Sequence, residues 1–424
     1  MVLPKPTNFS TKIKLLPKRQ RQNLDPALVS EARTYIAGYW PRLLRENKKD
    51  DDTLIGVPHP YLVPACEVGH EFDFDELYYW DSYFMVQGFM GKPEHKELVV
   101  GILEDLLNMF ERFKIIPNAS RTYLMGRSQP PFLSSFIIDV YKAYKMDKTW
   151  LRRAVSIAEA EYERVWMGTK KPNARQIYEG LSRYYDVNYL HDLAEAESGW
   201  DMTPRFNRRC LNYLPVDLNS LLYKYERDFA FAERVLGDEE AAVKWEQAAH
   251  KRRMSMNELM WSELRGFYYD YNFIKEHRGS VSSLAAYYTM WAGLASEKQA
   301  ARLVSALKKF EEKGGLATTD QQIGQLVPGA FPTQWAHPNG WAPLHLITIK
   351  GLQKYGYHKE AERIALKWLS TNLNWYKKHQ VFLEKYNVVA PDKPPTKGVY
   401  PSQTGFGWTN SVFEALCQEF IDGK

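Results

Sequence analysis

Residues 95–113, HKELVVGILEDLLNMFERF, decide the fold class. Val99, Ile102, Leu106, Met109, Phe110 and Phe113 recur every three or four positions, which on a helix of 3.6 residues per turn is one apolar stripe, with lysine and glutamate on the opposite side. The spacing predicts an amphipathic helix. Working outward, the same period recurs around Trp150 to Trp166, Leu218 to Leu236, Ala241 to Trp261, Ser282 to Leu294, Ala301 to Phe310, Leu344 to Tyr355, Lys359 to Trp375 and Ser411 to Phe420. The two-residue alternation of a strand is scarce, so the chain is expected to be all-α.

Glycine, proline, tryptophan and asparagine collect in the connections 117–131, 197–205, 334–343, 384–395 and 398–410. Helices joined by such loops build either an open solenoid or a closed toroid of helix pairs. A solenoid would repeat a unit of about 34 to 47 residues, and no such self-similarity is present. The expectation is one closed helical domain over residues 58–424, with residues 1–57 as an N-terminal arm packed on it.

The 424 residues are 45% hydrophobic and 25% charged, the balance of a globular chain and not of a disordered or coiled-coil one. No apolar run reaches the roughly 18 residues of a bilayer span, so no membrane partner is expected. The net charge of +5 is small for this length. Lys12, Lys14, Lys18, Arg19 and Arg21 make a basic stretch, but both signs mix elsewhere, which argues against nucleic acid as a partner. The N-terminus has no uninterrupted apolar signal core. Cys66, Cys210 and Cys417 form neither a disulfide framework nor a metal pair, and the expected compartment is the cytoplasm.

Composition turns to function in the aromatic residues: 13 Trp, 27 Tyr and 20 Phe, many beside Asp, Asn, Gln or Arg. A sugar ring offers an apolar C–H face to an aromatic ring and a rim of hydroxyls to carboxylates, amides and guanidinium groups. Core filling accounts for the same composition. Three segments carry acids in unusual company: FDELYYWDSYF with Phe74, Glu76, Tyr78, Trp80, Asp81 and Tyr83; ESGWDMTPRF with Trp200, Asp201 and Arg205; and FLEKYNVVAP with Glu384. Taken singly, Asp81 reads as a helix cap, Asp201 as a turn residue and Glu384 as a surface acid. Taken together, they offer the pair of carboxylates that glycoside hydrolysis needs, one to protonate the leaving oxygen and one to activate water or attack the sugar.

These segments resemble the trehalase family of inverting glycoside hydrolases from about residue 58 to residue 420. EFDFDELYYWDSYFMVQG is similar to its first signature and TQWAHPNGWAPLH to its second. IPNASRTYLMGRSQPP, ESGWDMTPRF, YLPVDLNSLLYKYE, LEKYNV and YPSQTGFGWTNSV resemble further family segments, in the same order. The resemblance implies an (α/α)6 toroid, no metal and no organic cofactor. It makes Asp201 the general acid and Glu384 the general base. It sets Asn118, Arg121 and Arg127 on sugar hydroxyls, and Trp80, Asp81, Trp200, Gln334, Trp335 and Trp341 around the pocket. Trp408 and Asn410 fit packing and capping equally well.

The chain also departs from the family pattern. Asp73 stands where an arginine is usual, Ala336 where the second signature has aspartate, and Val399 where an acid precedes the YPxQ segment. The arginine usual upstream of SGWD has no counterpart among residues 184–197. The expected substrate is α,α-trehalose. Another small α-glycoside, such as a glucosyl or mannosyl glycerate, is the alternative, and a catalytically silent sugar-binding protein is a third reading.

Overall fold

The computed structural model describes residues 24–66, 74–320, 333–396, 398, 400 and 402–423. The basic stretch at 12–21, Asp73 and Val399 lie outside the described residues. Thirteen α-helices run in chain order among those described: α1 Pro26–Leu43, α2 Tyr79–Met85, α3 Lys96–Phe113, α4 Leu133–Tyr144, α5 Lys148–Glu161, α6 His191–Glu197, α7 Val216–Leu236, α8 Glu239–Leu259, α9 Tyr288–Ala292, α10 Glu297–Ala306, α11 Ala342–Lys354, α12 His358–His379 and α13 Gly407–Phe420. Strands are ladders of two or three residues, all antiparallel.

Burial sorts the helices into two rings. Every residue of α2 and α9 is buried, and so is most of α7, α11 and α13, because these inner helices pack on both sides; α7 keeps Arg227 and Arg234 exposed. In α8 only Ala242, Ala249, Arg252 and Met256 are buried, and in α10 only Ala300, Leu303 and Ala306, the narrow stripe of an outer helix. Inner neighbours run α4, α7, α9, α11, α13 and α2, and the ring returns from α2 to α4 through Tyr83, which packs on Phe136 and donates to Asp139, with α1, α3, α5, α8, α10 and α12 outside. The short α6 lies in a connection. This is the (α/α)6 toroid.

The ring shuts where α13 meets α2. Gly88, just past α2, donates its N–H to the Ser411 hydroxyl at 2.8 Å, and a Cβ there would stand 2.8 Å from the Ser411 carbonyl oxygen. Residues 26–43, expected within an arm, form the outer helix across this seam. Arg33 of α1 forks onto Glu414 with two bonds of 2.9 Å and reaches Asp422 at 3.1 Å. A planar guanidinium suits such two-point contact with a carboxylate.

Candidate active site

The loops that precede α2, α4, α7, α11 and α13 meet at one end of the ring, above the N-termini of the inner helices. Between them lies a cavity of about 340 Å³. Its walls include Glu76, Tyr78, Trp80 and Asp81 from the start of α2, and Asn118, Tyr123, Arg127 and Gln129 from the loop before α4. Gly199 and Asp201, Trp335, Glu384, and Tyr400, Phe406 and Trp408 complete it. The three segments singled out by their acids therefore face one space.

Asp201 is seated through its neighbours. Gly199 has a left-handed φ of +70°, and a Cβ on it would meet Trp80 Cζ2 at 2.6 Å, so the loop lies directly on that indole. Four residues beyond the acid, Arg205 is fully buried, binds Asp217 and Asp270, and covers the Trp200 ring at 4.3 Å. Glu197, also fully buried, accepts from the backbone N–H of Ser128 and of Tyr185 at 2.7 Å each, which ties this loop to the one before α4. Burial, and next among the raising causes the charge of Glu384, push the Asp201 carboxyl up to about 7, against the pull of Arg127 and Lys385.

Glu384 sits beside a short ladder in which 339–341 pair with 385–387 and Trp341 faces Lys385. The register brings the second signature against the EKY segment. Trp341 stacks on Trp335 at 3.7 Å, and the Lys385 ammonium lies over Trp341 at 5.0 Å. Glu384 is fully buried. Its Oε2 accepts from Lys385 Nζ at 2.7 Å and its Oε1 from the Tyr400 hydroxyl at 2.6 Å. The two candidate catalytic carboxyls thus have different settings: Glu384 has a side-chain donor on each oxygen, whereas the hydrogen bond that most favours the Asp201 carboxylate comes from its own backbone N–H.

Of the other expected residues, Trp80, Asp81, Asn118, Arg127 and Trp335 line the cavity. Burial, followed by the charges of Glu384 and Asp201, pushes the Asp81 carboxyl up to about 8. Arg127 gives one nitrogen to Asp186 at 3.3 Å, while its buried Nε has no partner among the described residues, which leaves a donor for a ligand. Trp200, Gln334, Trp341 and Arg121 stand behind the wall. Trp200 stacks on Trp335, Gln334 donates to the Asp201 carbonyl at 2.6 Å, and Arg121 holds Glu76 and Thr53. Sugar contact was expected of these four; in this structure they lie outside the cavity lining, and Trp200 Nε1, Trp341 Nε1 and Gln334 Oε1 are buried without a hydrogen-bond partner among the described residues.

Ala336 is buried, and its carbonyl accepts from the Asn339 N–H at 2.9 Å. The arginines nearest in sequence upstream of SGWD are engaged elsewhere: Arg183 spends its fork on the carbonyls of Ala174, Leu211 and Asn173, and Arg175 pairs with Glu197. Trp408 faces the cavity and also donates to the Glu384 carbonyl at 3.1 Å, whereas Asn410 donates to the Gly405 carbonyl at 3.3 Å. Tyr123, Gln129, Tyr400 and Phe406 line the site without having been singled out. Each falls inside a family-like segment, which was the one available signal for them.

The model of the trehalase family matches residues 4–189 and 173–420. A periplasmic trehalase of Escherichia coli is 31% identical over 94% of this chain and 75% of its own length. A cytosolic neutral trehalase of Kluyveromyces lactis is 32% identical over 86% of this chain, which spans 56% of that longer protein. Among solved structures, the neutral trehalase of Saccharomyces cerevisiae superposes with a TM-score of 0.73 at 29% identity, over 85% of this chain and 73% of its own. A mannosylglycerate hydrolase of Thermus thermophilus shares the fold alone, with a TM-score of 0.67 at 15% identity over 91% of this chain and 99% of its own. The toroid, the two facing carboxyls and a sequence match that runs nearly end to end agree: the chain belongs to the trehalase family.

Proposed function

We propose that the protein hydrolyses α,α-trehalose to two glucose molecules with inversion, Asp201 acting as general acid and Glu384 as general base. The observation that carries this reading is the contrast between two carboxyls on one cavity. Asp201 holds its proton up to about pH 7 and can give it to the glycosidic oxygen. Glu384 is held by an ammonium on one oxygen and a phenol on the other, on the wall of the same cavity, where it can take a proton from water. The water oxygen attacks the anomeric carbon as its proton passes to Glu384. The bond from that carbon to the bridging oxygen breaks, and the oxygen takes the Asp201 proton as it leaves. Water entering opposite the leaving group turns the α-linkage into a β-sugar.

The cavity suits this substrate. At about 340 Å³ it lies at the small end of ligand pockets, a size that suits a disaccharide. Trp80, Trp335 and Trp408 supply apolar faces, and Asp81, Asn118, Arg127 and Gln129 supply the polar rim. We place the protein in the cytoplasm, since its three cysteines are all unpaired. The named relatives include one periplasmic and one cytosolic enzyme, and among the described residues no helix is long and apolar enough to cross a membrane. The test is hydrolysis of trehalose by the wild type and by Asp201→Asn and Glu384→Gln. Each variant is expected to lose about 10² to 10⁴ in kcat while trehalose still binds by calorimetry. A variant that keeps more than about a tenth of wild-type kcat refutes the role of that residue, since so small a loss lies below the range for a proton-transfer group.

A further inference from the structure

The setting of Glu384 asks more of its neighbours than sugar binding does. Its side chain has no exposed surface, and the Asp201 and Asp81 carboxyls stand close enough to feel its charge. A carboxyl so deeply buried needs donors in place of the lost water. Its backbone is pinned: the N–H donates to the Gln403 carbonyl at 3.0 Å, and the carbonyl accepts from the Trp408 indole and the Thr409 hydroxyl. What remains free is rotation of the carboxylate, and the two donors stop it. Lys385 is itself fully buried, with its ammonium over the rings of Trp341 and Tyr400. Tyr400 forms part of the cavity wall, in reach of both the base and the space where water and sugar meet.

Resting on the reading of Glu384 as the base, we propose that Tyr400 is a positioning residue of the hydrolysis: its phenol holds Oε1 of Glu384 so that the remaining lone pair of that oxygen faces the attacking water. Lys385 does the same for Oε2 from the protein side. The phenol keeps its own proton through the cycle, because burial and the charges of Glu384 and Asp201 push it well above the ordinary tyrosine range. The titratable groups that face the base are Lys385 beside it, Asp81 from α2 and Asp201 from the loop before α7, with the Tyr400 phenol as the donor from the loop before α13.

The test measures kcat and KM for trehalose across about pH 4 to 9 in the full chain carrying Tyr400→Phe, with Glu384→Gln alongside. A hydrogen bond to a charged group is expected to be worth about 10- to 100-fold in kcat, with KM within about threefold of wild type. The acid limb of kcat/KM should move to higher pH, because a carboxylate that loses a donor holds its proton more tightly. A Tyr400→Phe enzyme with wild-type kcat and acid limb, beside an inactive Glu384→Gln, overturns the proposal and leaves the base in place. A Glu384→Gln enzyme that stays active overturns the base itself. A raised KM at unchanged kcat makes Tyr400 a sugar contact and also overturns the proposal. If Tyr400→Phe does not fold, fluorotyrosine at position 400 keeps the ring and strengthens the donor. The acid limb must then move to lower pH, and a limb that stays put overturns the proposal.

Discussion

Replacing Gly199 by alanine tests whether the acid-bearing loop is held by its seat on Trp80. The residue has φ +70°, where an L side chain costs about 1 to 2 kcal/mol. The new Cβ would lie 2.6 and 2.7 Å from two carbons of the Trp80 indole, far inside contact distance. That ring cannot retreat: it is packed against Trp335 at 5.7 Å and edge-on to Phe84 and Trp408. Overpacking of this kind costs about 1 to 3 kcal/mol, so the sum is about 2 to 5 kcal/mol if the loop stays in place. Unfolding entropy of about 2 cal/mol/K per residue converts this to a melting point roughly 2 to 6 °C lower. If the loop slides instead, Asp201 moves with it, and a displacement near 1 Å costs about 100-fold in kcat. Calorimetric melting and trehalose turnover on the same preparation read both outlets. Wild-type melting together with wild-type kcat would show that the loop does not rest on Trp80 and would refute the account of how the acid is held.

Early products followed by proton NMR should show β-glucose from the attacked ring; α-glucose as the first product would make one carboxyl a nucleophile, with the pair near 5 Å apart. The general acid works protonated, so with the Asp201 carboxyl pushed up to about 7, kcat/KM should fall as pH rises through that value. A pH profile flat from about 6 to 9 would contradict this assignment.

The outer and well-patterned helices were legible because one face meets solvent. The stripe at 95–113 marks α3, and the periods at 218–236 and 359–375 mark α7 and α12, with ends displaced by a few residues. The inner helix α4 was not legible. Leu133 to Ile138 are buried in unbroken succession, so there is no polar side to set the period. In α1 the stripe is weak and Pro41 interrupts it, which hid a helix inside the expected arm. The site was legible where segments resemble the family's, but not which residues touch the cavity. Gln334, Trp335 and Trp341 lie within eight positions, yet only Trp335 lines the wall, because the stacking of two indoles and the reach of one amide are settled by the loops that fold over them.

The clasp between Arg33 and Glu414 joins residues 381 apart in sequence. Contacts of that span form late, since the chain must meet the entropy of closing nearly its whole length before they repay it. The cavity inherits this timing: its walls are drawn from residue 64 to residue 408, so no fragment made during synthesis contains a working site. A nascent chain stalled before α13 would hold Asp201 and Glu384 but lack both Trp408 and the seam at Gly88. Such a chain leaves α2 and α11 with uncovered apolar flanks, the kind of surface that chaperones bind and that aggregates form on. Turnover in this protein is therefore a property that appears all at once, with the last turn of the ring.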